Sequence, residues 1–311
     1  MKATTHTELY RPFDGEFLEK PRLPLVLARS ALRQAFRKKL PALFLFVPTY
    51  LTAIITAALI FFQSQAVKIQ LEELRKRGAT PEEIEEAKSL TQSMLGDTVD
   101  LIIGVYQQMP GFMGLGSFFM ILAMVWYGSG MISEDRRAGA NLLYFSRPLT
   151  RFGYGLGKFL GLAFIGVIVL LIPAMIICFV AAFTSSDWVF VREEWDMVLK
   201  LFAFCCLWIT VMSLVVLGLS SLVTRRTIAL FMGLGVIFGL HIFSQFHDIA
   251  DLSALSLMSL FTNFSTVAAW LFDKDGARHW NIEASAWVLA LTTLGSILLL
   301  SRGIKKMEVV G

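Results

Sequence analysis

Residues 130–158 read GMISEDRRAGANLLYFSRPLTRFGYGLGK, a polar and charged island between two apolar stretches. Residues 101–133 and 159–186 contain no Asp, Glu, Lys or Arg. Each stretch is long enough to cross the hydrocarbon core of a bilayer. Hydrocarbon cannot solvate the charges of the island, so the island lies outside the membrane and faces water or another protein.

The rest of the chain supports that reading. It is 56% hydrophobic, with a mean hydropathy of +0.64, which excludes an ordinary soluble globule. Repeated uncharged runs point to an all-α polytopic membrane protein. Six spans are expected, at about 42–63, 111–132, 159–183, 200–223, 227–246 and 284–301. Residues 1–41 form an N-terminal region and 42–311 the transmembrane domain, with an external loop at 64–110 and the island loop at 133–158. Cys178, Cys205 and Cys206 all sit in apolar runs, so they read as core residues rather than a disulfide framework or a metal site. Residues 1–40 are too long and too charged for a signal-peptide n-region, and no cleaved signal is expected.

Charge orients the spans. The N-terminal region, the island, Arg225, Arg226 and the tail from Arg302 carry 19 Lys/Arg and 7 Asp/Glu. Residues 64–110, 184–200 and 247–283 carry 9 Lys/Arg and 17 Asp/Glu. The positive-inside rule puts both termini and the island in the cytoplasm. The net charge of +4 comes from scattered, membrane-flanking residues, which is not the footprint of a nucleic-acid-binding protein.

Three segments outside the spans have their own logic. Residues 24–41, PLVLARSALRQAFRKKLP, are basic and amphipathic. Leu25, Leu32 and Phe36 lie near one helical face, and Arg29, Arg33, Arg37, Lys38 and Lys39 cover much of the rest. Such a helix rests in the cytoplasmic interface against anionic lipid, and Pro41 permits a bend into the first span. Residues 64–100 are expected to be a helical hairpin: the first span continues outward to Gly78, and Thr80, Pro81 and Glu83 supply a cap, a first-turn proline and a capping box for the next helix. Residues 252–272 are uncharged but rich in Ser, Thr and Asn. A seventh span there would move Arg302, Lys305 and Lys306 outside, so a re-entrant or external helix is expected.

Catalytic signatures are missing. The chain has no Walker glycine loop, HExxH or GxSxG, and neither catalytic residues nor metal ligands are assigned. His6, His241, His247 and His279 do not pair at ligand spacing, and His247, Asp248 and Asp251 form at most a weak external cation site. Asn263-Phe264-Ser265 matches a glycosylation sequon. No ionisable side chain lies in mid-span, where ion-coupled carriers keep theirs, so energy is expected from outside this chain. Gly157/Gly161 and Gly235/Gly239 have the small-xxx-small spacing that lets helices approach closely.

Within the island, residues 132–137 are read as the start of a short helix whose acids suit the dipole. Leu142, Tyr144 and Phe145 need something to pack against, and Arg147-Pro148 ends the helix. Thr150-Arg151 begins the next one. A plain loop has no use for so many large apolar groups, so the physical expectation is a docking element for a soluble partner.

Gly130, Ile132, Glu134, Gly139, Leu142, Leu143, Arg147, Pro148, Arg151 and Lys158 resemble the signature of ABC-2 type transporter permeases, the membrane subunits of ATP-driven exporters. The chain departs at Ala140, where that family usually has Thr or Ser. The resemblance covers nearly the whole chain and is nearest to the subgroup that includes the nitrous-oxide-reductase maturation permease. It implies a coupling helix seated in a cytoplasmic ABC ATPase dimer, with Glu134, Asp135, Arg136, Arg137, Asn141, Leu142, Tyr144, Phe145, Arg147 and Arg151 as contact residues. It also implies a second permease copy, in a homodimer or heterodimer, in a bacterial inner membrane. ATP and Mg belong to the partner ATPase, and this chain holds no cofactor. Loop 64–110 is free to meet an external partner. The alternatives are a membrane scaffold without a transported substrate and an integral-membrane enzyme. Substrate is not legible.

Overall fold

The computed structural model describes residues 23–37, 39–78, 80, 114–139, 150–184, 195–246, 253–272 and 282–309. Among these the chain is helical, with no strand. Lys38, residues 81–113, the island segment 140–149 with Asn141, Leu142, Tyr144, Phe145 and Arg147, and residues 247–251 lie outside the described residues.

Helix α1 is Leu23–Arg37 and α2 is Lys39–Lys76. Pro41 falls in the first turn of α2, where a missing N–H is harmless. At 38 residues α2 is about 57 Å long, well beyond a ~30 Å hydrocarbon core. It ends where Gly78 turns to φ +69°. Helix α3 is Gly114–Arg137, α4 is Arg151–Thr184, α5 is Trp195–Leu222 and α6 is Arg226–Ser244. A 3-10 turn, Ser253–Met258, leads into α7, Leu260–Leu271, and α8 is Ile282–Val309. Five of these helices, α2, α4, α5, α6 and α8, are long and apolar enough to cross a membrane. Helix α7 has 12 residues, about 18 Å, and is too short to cross one.

Helices α3 and α5 form the centre of the bundle. Ala123, Met124, Val125 and Ile132 of α3 and Leu201, Cys205 and Leu217 of α5 are fully buried. Around this pair, α2 and α6 pack on α3, and α8 packs on α5. The α5–α8 contact is close because its residues are small. A Cβ on Gly218 would lie 3.0 Å from the Ser296 carbonyl oxygen, and one on Gly303 would lie 2.9 Å from that of Ser221.

Helix α4 is interrupted by a π-helical segment at Val167–Leu171. In an i→i+5 ladder the Ile168 carbonyl needs the N–H of residue 173, which is proline and has none. The Tyr50 hydroxyl on α2 donates to that carbonyl at 2.8 Å. A backbone acceptor inside an apolar bundle is thereby satisfied by a neighbouring helix.

One expectation is corrected here. Residues 132–137 do not begin a helix; they form the end of α3, which continues until Gly139 takes φ +65°. The apolar pattern carries the helix through, since Met131, Ile132 and Ser133 are all buried, and no proline intervenes. On α1 the buried stripe is Leu27, Ala28, Ala31 and Ala35, whereas Leu25 is 60% and Phe36 40% exposed. The stripe is small because it lies against the glycines of α4. A Cβ on Gly157 would come within 2.8 Å of Leu27 Cβ and 2.9 Å of the Pro24 carbonyl oxygen, and one on Gly161 within 3.0 Å of Ala31 Cβ. Among the described residues nothing lies within 4 Å of a Cβ placed on Gly235 or Gly239 of α6.

These two glycine pairs should respond differently to alanine. Gly157→Ala is expected to lower stability by about 1–3 kcal/mol through overpacking, and Gly235→Ala to leave it unchanged or slightly raised. Thermal unfolding of the detergent-purified chain measures both; equal midpoints for the two variants would contradict this packing.

Candidate functional site

The last turn of α3 holds Glu134 and Asp135. A helix C-terminus is the negative end of the macrodipole, so two carboxylates there are unfavourable unless cations answer them. The fold supplies one cation to each. Asp135 Oδ2 lies 2.6 Å from Lys158 Nζ on α4, and the Tyr154 hydroxyl donates to the same oxygen at 2.8 Å. Lys158 is almost completely buried, with 6% of its side chain exposed, and its ammonium lies 5.6 Å from the centre of the Tyr154 ring. Glu134 Oε1 lies 3.2 Å from Arg226 Nη1 at the start of α6. The Gln34 side-chain amide of α1 donates to the other oxygen at 3.3 Å.

Arg226 is held at several points. Its Nη2 donates to the Trp126 carbonyl at 3.1 Å, and its guanidinium sits 4.9 Å from the centre of the Trp126 ring. Gly130 makes room for the pair, because a Cβ there would lie 3.2 Å from the Glu134 carboxyl carbon and 3.4 Å from Arg226 Cδ. Arg136 turns the other way. Its Nη1 donates to the Ser221 and Leu222 carbonyls at 3.1 and 3.4 Å, so a cation caps the C-terminus of α5. One turn back, the Ser220 hydroxyl donates to the Ser129 carbonyl at 2.8 Å and accepts from Ser133 N at 3.3 Å.

The result is a polar clamp in which three consecutive side chains of α3 reach α1, α4, α5 and α6. Beside it a cavity of about 370 Å³ is lined by Gln34, Tyr127, Glu134, Lys158 and Arg226. The clamp also brackets the 140–149 segment. Asp135 stands just before that segment, and Tyr154 and Lys158 just after it. The Thr150 side chain caps α4 by accepting from Gly153 N at 3.0 Å.

Of the expected docking residues, Glu134, Asp135 and Arg136 are engaged within the chain; Arg137 is exposed, and Arg151 is exposed but also has an interaction of its own. Arg29, Arg33, Arg37 and Lys39 are also exposed. Sequence reasoning missed Gln34, Trp126, Tyr154 and Arg226 as members of one site. Arg226 counted only toward orientation, because Glu134 and its cation are 92 positions apart. The available signal was the acidic pair at a helix C-terminus, legible only once α3 is known to end there. Among the described residues no group of His, Cys, Asp or Glu is arranged to hold a metal ion.

On the far side of the bundle His241 Nδ1 and Ser259 Oγ are 2.9 Å apart, tying α6 to the cap of α7. Asn263 is buried, and its Nδ2 donates to the Leu257 and Ser259 carbonyls at 2.7 and 2.8 Å. The sequon nitrogen is thus committed to packing and is not available for a glycan.

Removing one partner of a buried pair strands the other. Lys158→Met is expected to destabilise the chain by about 3–5 kcal/mol, and adding Asp135→Asn should recover much of that loss. A double-mutant cycle on denaturant midpoints in detergent measures the coupling; additive losses would mean that the pair does not act as a unit.

The family model described as ABC-2 family transporter protein matches residues 25–301. No curated protein matches the chain. The matched region takes in the amphipathic α1, the clamp and most of α8. This chain belongs to the ABC-2 family of transporter proteins.

Proposed function

We propose that this chain is the membrane permease of an ATP-driven exporter, powered by a separate cytoplasmic ABC ATPase. The family implies such an ATPase in general. The observation that carries the reading is the Asp135–Lys158 pair. It is buried, has a 2.6 Å contact, and joins the two helices on either side of the 140–149 segment. A segment anchored this way passes force into the bundle instead of absorbing it as a loop. In this reading α3 is a sixth span, and residues 133–158 face the cytoplasm together with both termini. Helix α1 lies in the cytoplasmic interface, and α7 with its 3-10 turn dips into the outer leaflet from outside. Two permeases and two ATPases make the transporter in a bacterial inner membrane, and the ATPases hold the nucleotide and its Mg²⁺. Within the family, the island motif favours the subgroup of the nitrous-oxide-reductase maturation permease, and loop 64–110 would meet an external partner.

Since Glu134, Asp135 and Arg136 have partners inside the chain, the residues best suited to contact an ATPase are Arg137 and Arg147 with Leu142, Tyr144 and Phe145. Polar contacts at such a boundary fix orientation as well as affinity. Arg137→Glu combined with Arg147→Ala is expected to weaken co-purification of the cognate ATPase roughly tenfold while leaving the permease folded and monodisperse. ATPase assays in proteoliposomes complete the test. Unchanged binding and turnover would overturn the docking surface. An ATPase that docks but hydrolyses at a rate indifferent to the permease would favour a scaffold.

A further inference from the structure

Helices α4 and α8 leave a groove between them that the clamp does not use. It has a volume of about 520 Å³ and runs along Phe152, Leu156 and Phe159 on one wall and Ile297, Leu300 and Ile304 on the other. Both walls change character in the same direction. Toward the bundle interior they are wholly apolar. At the helix ends they carry Arg151 on α4 and Arg302 and Lys305 on α8. Arg151, Arg302 and Lys305 are all exposed. The same end is the N-terminus of α4, whose dipole favours an anion. Phe152 stands at its mouth with 78% of its surface exposed. From Ile297 to Lys305 the apolar wall of α8 is about 12 Å deep, which accommodates part of an acyl chain.

We propose that this groove is a binding site for one anionic phospholipid, with an acyl chain between α4 and α8 and the phosphate against Arg302 and Lys305. Charge complementarity selects the occupant. A neutral lipid satisfies the apolar walls but leaves Arg302 and Lys305 unanswered, whereas a phosphate-bearing anionic headgroup satisfies both. Basic pockets between membrane helices on the cytoplasmic side recognise such headgroups. The site assumes that these helices span a membrane; it does not depend on the ATPase. Its position adds a consequence. The groove runs along the start of α4, so an occupied groove steadies that end of the helix.

The test is lipid retention by the full chain. Protein is reconstituted in nanodiscs of phosphatidylcholine and phosphatidylglycerol at 3:1, extracted into mild detergent and analysed by native mass spectrometry. About one phosphatidylglycerol should stay with each chain, enriched over its share of the bilayer. Arg302→Gln with Lys305→Gln should lower that enrichment by roughly fivefold for each charge removed. Leu156→Trp, which fills the apolar part, should displace lipid of either kind. Arg75→Gln with Lys76→Gln, a matched charge loss at the far end of α2, should change nothing. Unfolding midpoints within a few degrees of the unaltered chain keep the comparison interpretable. Equal phosphatidylglycerol retention in the Arg302/Lys305 variant, or an equal drop in the Arg75/Lys76 control, would overturn the site. Loss of an oligomer in the Arg302/Lys305 variant with an unchanged lipid ratio would assign the groove to a second copy of the chain. The ATPase experiment can fail without touching this result.

Discussion

The contact on which the arrangement depends is the buried pair between Asp135 and Lys158. Burying two charges is costly, and a carboxylate at a helix C-terminus is doubly so. The cost is tolerable because every element is answered: the ammonium lies 2.6 Å from the carboxylate, the Tyr154 hydroxyl donates to the same oxygen, and the Tyr154 ring lies beside the ammonium. Such a pair adds little net stability over apolar replacements. It acts instead as a register pin, since neither α3 nor α4 can slide or rotate without stranding a charge.

Glu134 and Arg136 extend the same logic to the neighbours of α3. One reaches Arg226 on α6 and Gln34 on α1, and the other caps α5. Helix α1 is also fixed by shape, through its alanine stripe on Gly157 and Gly161. It is therefore part of the bundle at its buried face, while Arg29, Arg33, Arg37 and Lys39 remain exposed. The π-helical segment divides α4 into two working halves. The first half is pinned to α1 and α3, and the second packs against α2. Pro173 cannot donate to the Ile168 carbonyl and the Tyr50 hydroxyl does so instead, and the segment places a local change of helix geometry between the clamp and the far end of α4.

Much of this was legible along the chain, because membrane spans announce themselves by composition. Residues 42–63, 159–183, 200–223, 227–246 and 284–301 each fall within a helix long and apolar enough to cross a bilayer, apart from one or two residues at the ends. Thr150 as a helix cap was readable from residue type and position, and Gly78 as a stop from its tolerance of positive φ. The error arose where local signals competed. The acids at 134 and 135 suit a helix start by the dipole rule, yet they end one, because partners distant in sequence neutralise them. On α1, Leu25 and Phe36 are exposed, and the buried face is set by which residues are small enough to meet glycine.

By itself, then, the sequence determined an all-helical membrane chain, its family signature and the uneven distribution of charge along it. These are properties of single residues and short windows, and the cost of polar groups in hydrocarbon makes them nearly independent of context. Tertiary structure alone decided that Glu134 belongs to Arg226, Asp135 to Lys158 and Tyr154, and the Ile168 carbonyl to Tyr50. Those choices depend on which helices lie side by side, and adjacency is settled by packing of small and large side chains across the whole bundle rather than by any local pattern.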